Sequence, residues 1–119
     1  MSTRDSRALR RRLRKTITRQ KLRSERQRPP LFAVVLHHDA INRFDYIVRV
    51  LQRVFFFGRA KACFITLIVR CVGRSVVWRG SFEIAETKAY LLKSHGPDPE
   101  RIALGARPLW VTVEPLRRE

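Results

Sequence analysis

The sequence predicts an α/β (α+β) sandwich in the order β-α-α-β-α-β, a small three-stranded sheet covered by three helices. Three patterns carry that expectation. A continuous apolar run follows a double proline, two helix-period stretches stand back to back, and a strict two-residue alternation closes the chain.

The first strand is Leu31-Phe32-Ala33-Val34-Val35-Leu36, of strand length and rich in β-formers. A loop from His37 to Ile41 leads to Asn42, the expected N-cap of a helix, with Asp45 three residues on as its capping-box partner. Phe44, Ile47, Val48, Leu51 and Phe55 repeat at helical spacing, and Gly58 is the expected stop. A second helix, Arg59 to Val72, is apolar almost all round and is therefore expected to be enclosed by the rest of the fold. Thr66 and Arg70 form its one polar stripe. Gly73 ends it, Arg74 to Arg79 is a short strand, and Gly80 ends that in turn. Ser81 caps a third helix, Phe82 to about Ser94, with Glu83 and Glu86 near its positive end. His95-Gly96-Pro97-Asp98-Pro99 is a stop and loop. In the last strand Leu109, Val111 and Val113 take one face and Trp110, Thr112 and Glu114 the other.

The chain has 119 residues, enough for one small domain and an appendage, too few for an enzyme with separate cofactor and substrate domains. Hydrophobic residues make up 45%, which rules out wholesale disorder. The longest apolar runs, such as Cys63–Val69, fall far short of the ~20 residues of a membrane span. The start of the chain has cations but no apolar segment of the secretory type. Cys63 and Cys71 stand eight apart in one expected helix, a rise of about 12 Å, too far for a disulfide. They are expected to be buried thiols in a reducing compartment.

The net charge is +16, and it is unevenly spread. Residues 1–28 hold 12 Lys and Arg against Asp5 and Glu25, a net of +10, while the rest of the chain carries +6. With so little apolar content this arm is expected to be disordered on its own. Leu9, Leu13 and Ile17 recur every four residues, which also allows a transient helix on an acidic surface.

Catalytic chemistry finds little support. The sequence has no Gly-rich phosphate loop, nucleophile elbow, HExxH or CxxC. His37, His38 and Asp39 invite a metal reading, but adjacent side chains of an extended chain point to opposite sides and four convergent ligands are not in evidence. Ser75 and Ser81 lack an evident base. No cofactor, metal or catalytic residue is expected.

From Pro29 to Pro115 the chain resembles the ClpS family, adaptors that deliver substrates to the Clp AAA+ protease. The resemblance rests on Pro-Pro-Leu-Phe before the first strand, Val34-Val35-Leu36-His37-His38-Asp39, and Asn42 with Phe44-Asp45-Tyr46-Ile47-Val48-Arg49-Val50-Leu51. Glu83-Ile84-Ala85-Glu86-Thr87-Lys88 and Pro108-Leu109-Trp110-Val111-Thr112-Val113-Glu114 complete it. It implies an adaptor domain over residues 29–116, a C-terminal tail over 117–119, and a location in the cytoplasm or an organellar stroma or matrix.

The resemblance further implies a module with two binding sides. One takes the first residue of an N-degron substrate, typically bulky and apolar. His38, Asp39, Asn42 and Arg70 fall at the mouth that holds the α-amino group, and Phe44, Ile47, Thr66, Val69 and Leu109 fall on the wall. The other side docks on the N-terminal domain of a Clp ATPase, at Glu83 and Lys88. Burial of an apolar first side chain contributes about 1.5–3 kcal/mol, and the cationic amine needs acceptors where it enters.

This chain departs from the family pattern at His38, Ala40 and Arg70, where the family usually has Asn, an acid and His, and at Phe44, where Met is frequent. A guanidinium only donates, so an Arg70 pointing into the mouth repels the amine by about 1–4 kcal/mol at 4 Å. Three readings of Arg70 are open: pairing with Asp39, turning outward, or receiving a carboxylate-bearing ligand.

The rival reading comes from the charge. A +10 arm on a basic domain suits a nucleic-acid or ribosome-associated protein, with polyanion binding through residues 1–28. A Ser/Thr/Arg-rich, acid-poor start also suits an organellar transit segment.

Overall fold

Behind Pro30 the apolar run forms β1, Phe32–His37, the middle strand of the sheet, and it reads as continuously apolar because both its faces are buried. Ala33, Val34, Val35 and Leu36 are all buried. The computed structural model describes residues 3–26 and 30–116, with side chains for residues 5–16 and 30–116. The remaining elements of the folded part are α2 (Phe44–Phe55), α3 (Arg59–Val72), β2 (Arg74–Gly80), α4 (Phe82–Ser94), a 3-10 turn (Ile102–Leu104) and β3 (Val111–Pro115). Both β2 and β3 pair antiparallel with β1, in the order β2-β1-β3. Val34 faces Trp78 and Val113 across the sheet, and an irregularity between Val34 and Val35 shifts the β2 register. The expected β-α-α-β-α-β order is the order found.

The core joins β1 to the helices. Leu36, Leu51, Leu92 and Val69 are fully enclosed, with Ile47, Val50, Val54 and Ala89 around them. Helix α4 sits against β1 and β3, while α3 packs on α2 and β2. Ser81 caps α4, its hydroxyl accepting from the Ile84 N–H, as its position predicts. Gly80 has no side chain because the Trp78 indole covers its Cα; a Cβ there would collide with the ring.

Several expectations fail for identifiable reasons. Arg43, not Asn42, is the N-cap of α2, and it gives no side-chain cap bond. Asn42 is drawn away by tertiary partners, as described below. Helix α2 stops at Phe56, a left-handed residue at φ 58° whose N–H bonds the Gln52 carbonyl. Gly58 instead stands at the start of α3. That helix is not enclosed: Ala62, Ile65, Thr66 and Val69 are buried, but Phe64, Leu67 and Val72 are 63%, 51% and 72% exposed. Packed on α2 and β2, α3 offers its other side to solvent. The supposed polar stripe divides too, since Thr66 is buried with its hydroxyl donating to the Ala62 carbonyl at 2.8 Å, whereas Arg70 is exposed. Cys63 is half-buried and Cys71 exposed, so neither is a buried thiol.

The arm differs as well. Residues Thr3–Arg26 form one helix, α1, where disorder was expected. Its residues are mostly Arg, Lys, Leu, Gln and Ala, strong helix formers without Gly or Pro, so local propensity supplies what the missing core does not. The expected C-terminal tail at 117–119 lies outside the described residues.

Candidate functional site

The turn between β1 and α2 is built on Asp39. One carboxylate oxygen accepts from the Ile41 N–H at 2.8 Å and the Asn42 N–H at 3.3 Å, the geometry of an Asx turn. The other accepts from the Asn42 side-chain amide. That same amide donates to the Arg107 carbonyl at 2.8 Å, and the Asn42 side-chain oxygen accepts from the Asp98 N–H at 2.9 Å. Asn42 is only 1% exposed, so one side chain ties the β1–α2 turn to the loop after α4 and to the segment entering β3. Its hydrogen-bonding groups are all engaged inward, and its contribution to a mouth is to hold Asp39 in place.

A second tie runs alongside. Asp98 is fully buried, and Arg43 donates to it from Nε at 2.7 Å, from a terminal nitrogen at 3.2 Å and from its backbone N–H at 3.2 Å. The Glu100 N–H adds a further bond at 3.1 Å, and the Glu100 carboxylate meets the same guanidinium at 2.8 Å. The side-chain bond from Arg43 holds the Asp98 carboxyl down at about 2, against the opposing push of burial. A carboxyl lowered in the folded state stabilises above its ordinary pKa and loses that contribution as the pH falls toward the lowered value. Urea midpoints are therefore expected to drop between pH 4 and pH 2. In Asp98→Asn that acid-side drop should be smaller. An equal drop in both proteins would show that Asp98 is not its source. In the sequence Asp98 is a loop residue between two prolines, and no local signal marks its partner Arg43, which stands 55 positions away.

His38 is exposed, and its N–H bonds the Gly73 carbonyl at 2.9 Å, clipping the turn to the end of α3. The neighbouring His37 points elsewhere in its bonding: its Nε2 is 2.7 Å from the Thr112 hydroxyl, and its ring stacks on Trp110 at 4.5 Å. Among the described residues no three His, Cys, Asp or Glu side chains are grouped to hold a metal ion.

An open groove of about 730 Å³ lies beside the turn, lined by His38, Asp39, Arg107, Leu109, Trp110 and Lys93 among others. Three of the expected site residues, His38, Asp39 and Leu109, thus share one concavity. Of the other mouth and wall positions, Asn42 is the tie within the turn and the rest lie on α2 and α3. Ile47, Thr66 and Val69 are buried there, and half-buried Phe44 covers that side with the Arg70 guanidinium 5.1 Å from its ring centre. A cation on an aromatic face is a favourable contact. No ion pair joins Arg70 to Asp39 among the described residues. Nothing in the sequence marks Arg107 or Lys93 as groove residues, and Trp110 reads there as a sheet-face residue. The alternation of β3 already set Trp110 on the face opposite Leu109, but only the paired strands show that this face borders a groove.

Glu83 is exposed in the first turn of α4, while Lys88 is half-buried with its ammonium 5.8 Å from the Phe55 ring centre. Both lie on α4, away from the β1–α2 turn in the chain.

A three-stranded sheet backed by helices, with a pre-formed acidic turn opening on a groove, defines a small binding module. The family model described as the ATP-dependent Clp protease adaptor protein ClpS matches residues 27–112, and the chain belongs to this family. It is 41% identical over 70 residues to the ClpS adapter of Ruegeria pomeroyi, covering 59% of this chain and 62% of that one. It is 40% identical over 62 residues to that of Alkalilimnicola ehrlichii, covering 52% and 58%, so these alignments span about three fifths of each relative. With the ClpS adapter of Vibrio atlanticus the identity is 30% over 95 residues, 80% of this chain and 84% of the relative. Among solved structures, Agrobacterium tumefaciens ClpS2 bound to L-phenylalaninamide matches with a TM-score of 0.65 and 28% identity, over 75% of this chain and all of that one. Among the described residues no helix is long and apolar enough to cross a membrane.

Proposed function

We propose that this chain binds the first residue of N-degron proteins, bulky and apolar, and delivers those proteins to the N-terminal domain of a Clp ATPase. The observation that carries this reading is the ligand of the structural neighbour. L-Phenylalaninamide has a free α-amine and a benzyl side chain, the chemistry of a leading Phe. In this chain the acceptor for such an amine is the Asp39 carboxylate, whose orientation is set in advance by the Asn42 tie, so little ordering is required on binding. The apolar side chain enters between α2 and α3, towards Ile47, Thr66, Val69 and Leu109. Half-buried Phe44, with the Arg70 guanidinium over its ring, covers that entry.

Arg70 sets the strength of this binding. It donates only, carries a fixed charge, and lies near the path of an ammonium group. Fluorescence polarisation with peptides that begin with Leu, Phe, Trp or Tyr should show binding that is lost when the amine is acetylated. Arg70→His should bind the free peptides several-fold more tightly. Binding indifferent to the first residue and to acetylation would overturn the reading, and an unchanged affinity in Arg70→His would remove this role for Arg70.

Delivery rests on the exposed side of α4. Glu83 and Lys88 are the positions that match the family's docking surface, and a Glu83→Lys/Lys88→Glu protein should lose association with a Clp ATPase N-terminal domain while retaining the peptide. Intact association in that variant would place the dock elsewhere.

A further inference from the structure

We propose that helix α1 is a docking element for duplex DNA, lying in the major groove with cations along both phosphate walls. Thr3–Arg26 is one helix carrying 11 Lys and Arg against Asp5 and Glu25. At 1.5 Å per residue, 24 residues span about 36 Å, the length of one turn of B-form duplex. From Arg7 to Thr16 every side chain is exposed, and Leu9 and Leu13 are 48% and 53% exposed.

The order of the residues matters more than the total charge. At about 100° per residue the cations occupy an arc of roughly 220°. The positions of Ser6, Leu9, Leu13, Thr16, Ile17 and Gln20 fall in the remaining sector, and Asp5 stands at its edge beside the position of Arg23. The positions of Arg10 and Lys21 border that sector on one side and those of Arg12 and Arg23 on the other. A helix so divided meets two rows of anions at once and sets small polar and aliphatic groups between them. B-form DNA offers that arrangement, a major groove about 12 Å wide that admits a helix between two phosphate walls.

Two other polyanions fit less well. An anionic membrane surface favours a broad apolar face with aromatic or abundant aliphatic residues. Here the uncharged sector mixes Leu9, Leu13 and Ile17 with Ser, Thr and Gln, and α1 has no aromatic residue. The major groove of duplex RNA is deep and narrow and excludes a helix.

The test uses the full chain and a fluorescein-labelled 20-base-pair duplex of random sequence, followed by anisotropy between 50 and 300 mM KCl. Phosphate-driven binding gives a log affinity that falls linearly with log salt, by about 0.9 for each neutralised phosphate. Arg7→Gln/Arg10→Gln/Arg11→Gln/Arg12→Gln should lower the slope by about 3–4 and weaken binding at 100 mM KCl by more than tenfold. Leu13→Pro, which breaks the helix and keeps every charge, should also weaken the duplex complex. An unchanged slope in the first variant, or an unchanged affinity in the second, overturns the proposal. So does equal or tighter binding to single-stranded RNA, to duplex RNA, or to vesicles containing one quarter phosphatidylglycerol.

Discussion

The Asn42→Leu protein is expected to unfold at a temperature roughly 10 °C or more below the wild type. Leu has the same branched heavy-atom skeleton as Asn, with bulkier methyl ends, and it supplies none of the three side-chain hydrogen bonds that Asn42 makes. The Asp98 N–H, which is buried, loses its acceptor, the Arg107 carbonyl loses a donor, and the Asp39 carboxylate loses the amide that orients it. The orphaned buried Asp98 N–H costs about 1–3 kcal/mol, and losing the bonds to exposed Arg107 and half-buried Asp39 about 0.5–1.5 kcal/mol each, roughly 2–6 kcal/mol in all. In a domain of this size each kcal/mol lowers the midpoint by about 4–8 °C. Thermal denaturation followed by circular dichroism measures the shift directly. A midpoint within two or three degrees of wild type would mean that the β1–α2 turn, the loop after α4 and the approach to β3 are held together by something else.

Asp39→Ala should cost about 10- to 100-fold in affinity for a peptide with a free leading amine. A hydrogen bond to a charged group contributes about 1.5–3 kcal/mol, and each 1.4 kcal/mol is a factor of ten. The acetylated peptide provides the control, because its amine carries no charge and should bind both proteins equally weakly. A loss of the same size for the free and the acetylated peptide would make Asp39 a support of the turn alone and would withdraw it as the amine acceptor. Fluorescence polarisation of the four pairs decides this, and circular dichroism establishes that both proteins are folded.

Much of this architecture is legible in the residues because it depends on patterns of two and of three to four. The run from Phe32 to Leu36 is apolar at every position, and Ala33 to Leu36 are buried on both faces of the strand, which that pattern reflects. Ser81 is followed by a helix because its hydroxyl satisfies a backbone N–H three residues on, an interaction wholly local in the chain. Asp39 stands in the loop expected after β1; the Asx turn it makes there is local, while its place at a mouth is implied only by the family resemblance.

Asn42 shows where local reading fails. Placed before a helix it has every local mark of an N-cap, yet its side chain bonds Arg107 and Asp98, 65 and 56 positions away. A cap bond and a tertiary bond compete for the same few polar atoms, and the buried site won because an unpartnered group there costs more than an unfilled cap in water. Arg70 gives the same lesson from the other direction. Its place on α3 follows from periodicity, but its position over the Phe44 ring depends on how closely α2 and α3 approach.

By itself, then, the sequence determined the order of strands and helices from β1 onward, the alternation of β3 and the concentration of charge in the first 28 residues, because each follows from neighbours along the chain. Only the tertiary structure decided that Asn42 and Asp98 are internal ties, that one side of α3 is left to solvent and that Trp110 borders a groove. Those outcomes depend on which distant groups meet, and the energy of a buried polar atom or an exposed aromatic ring is set by those neighbours rather than by its own identity.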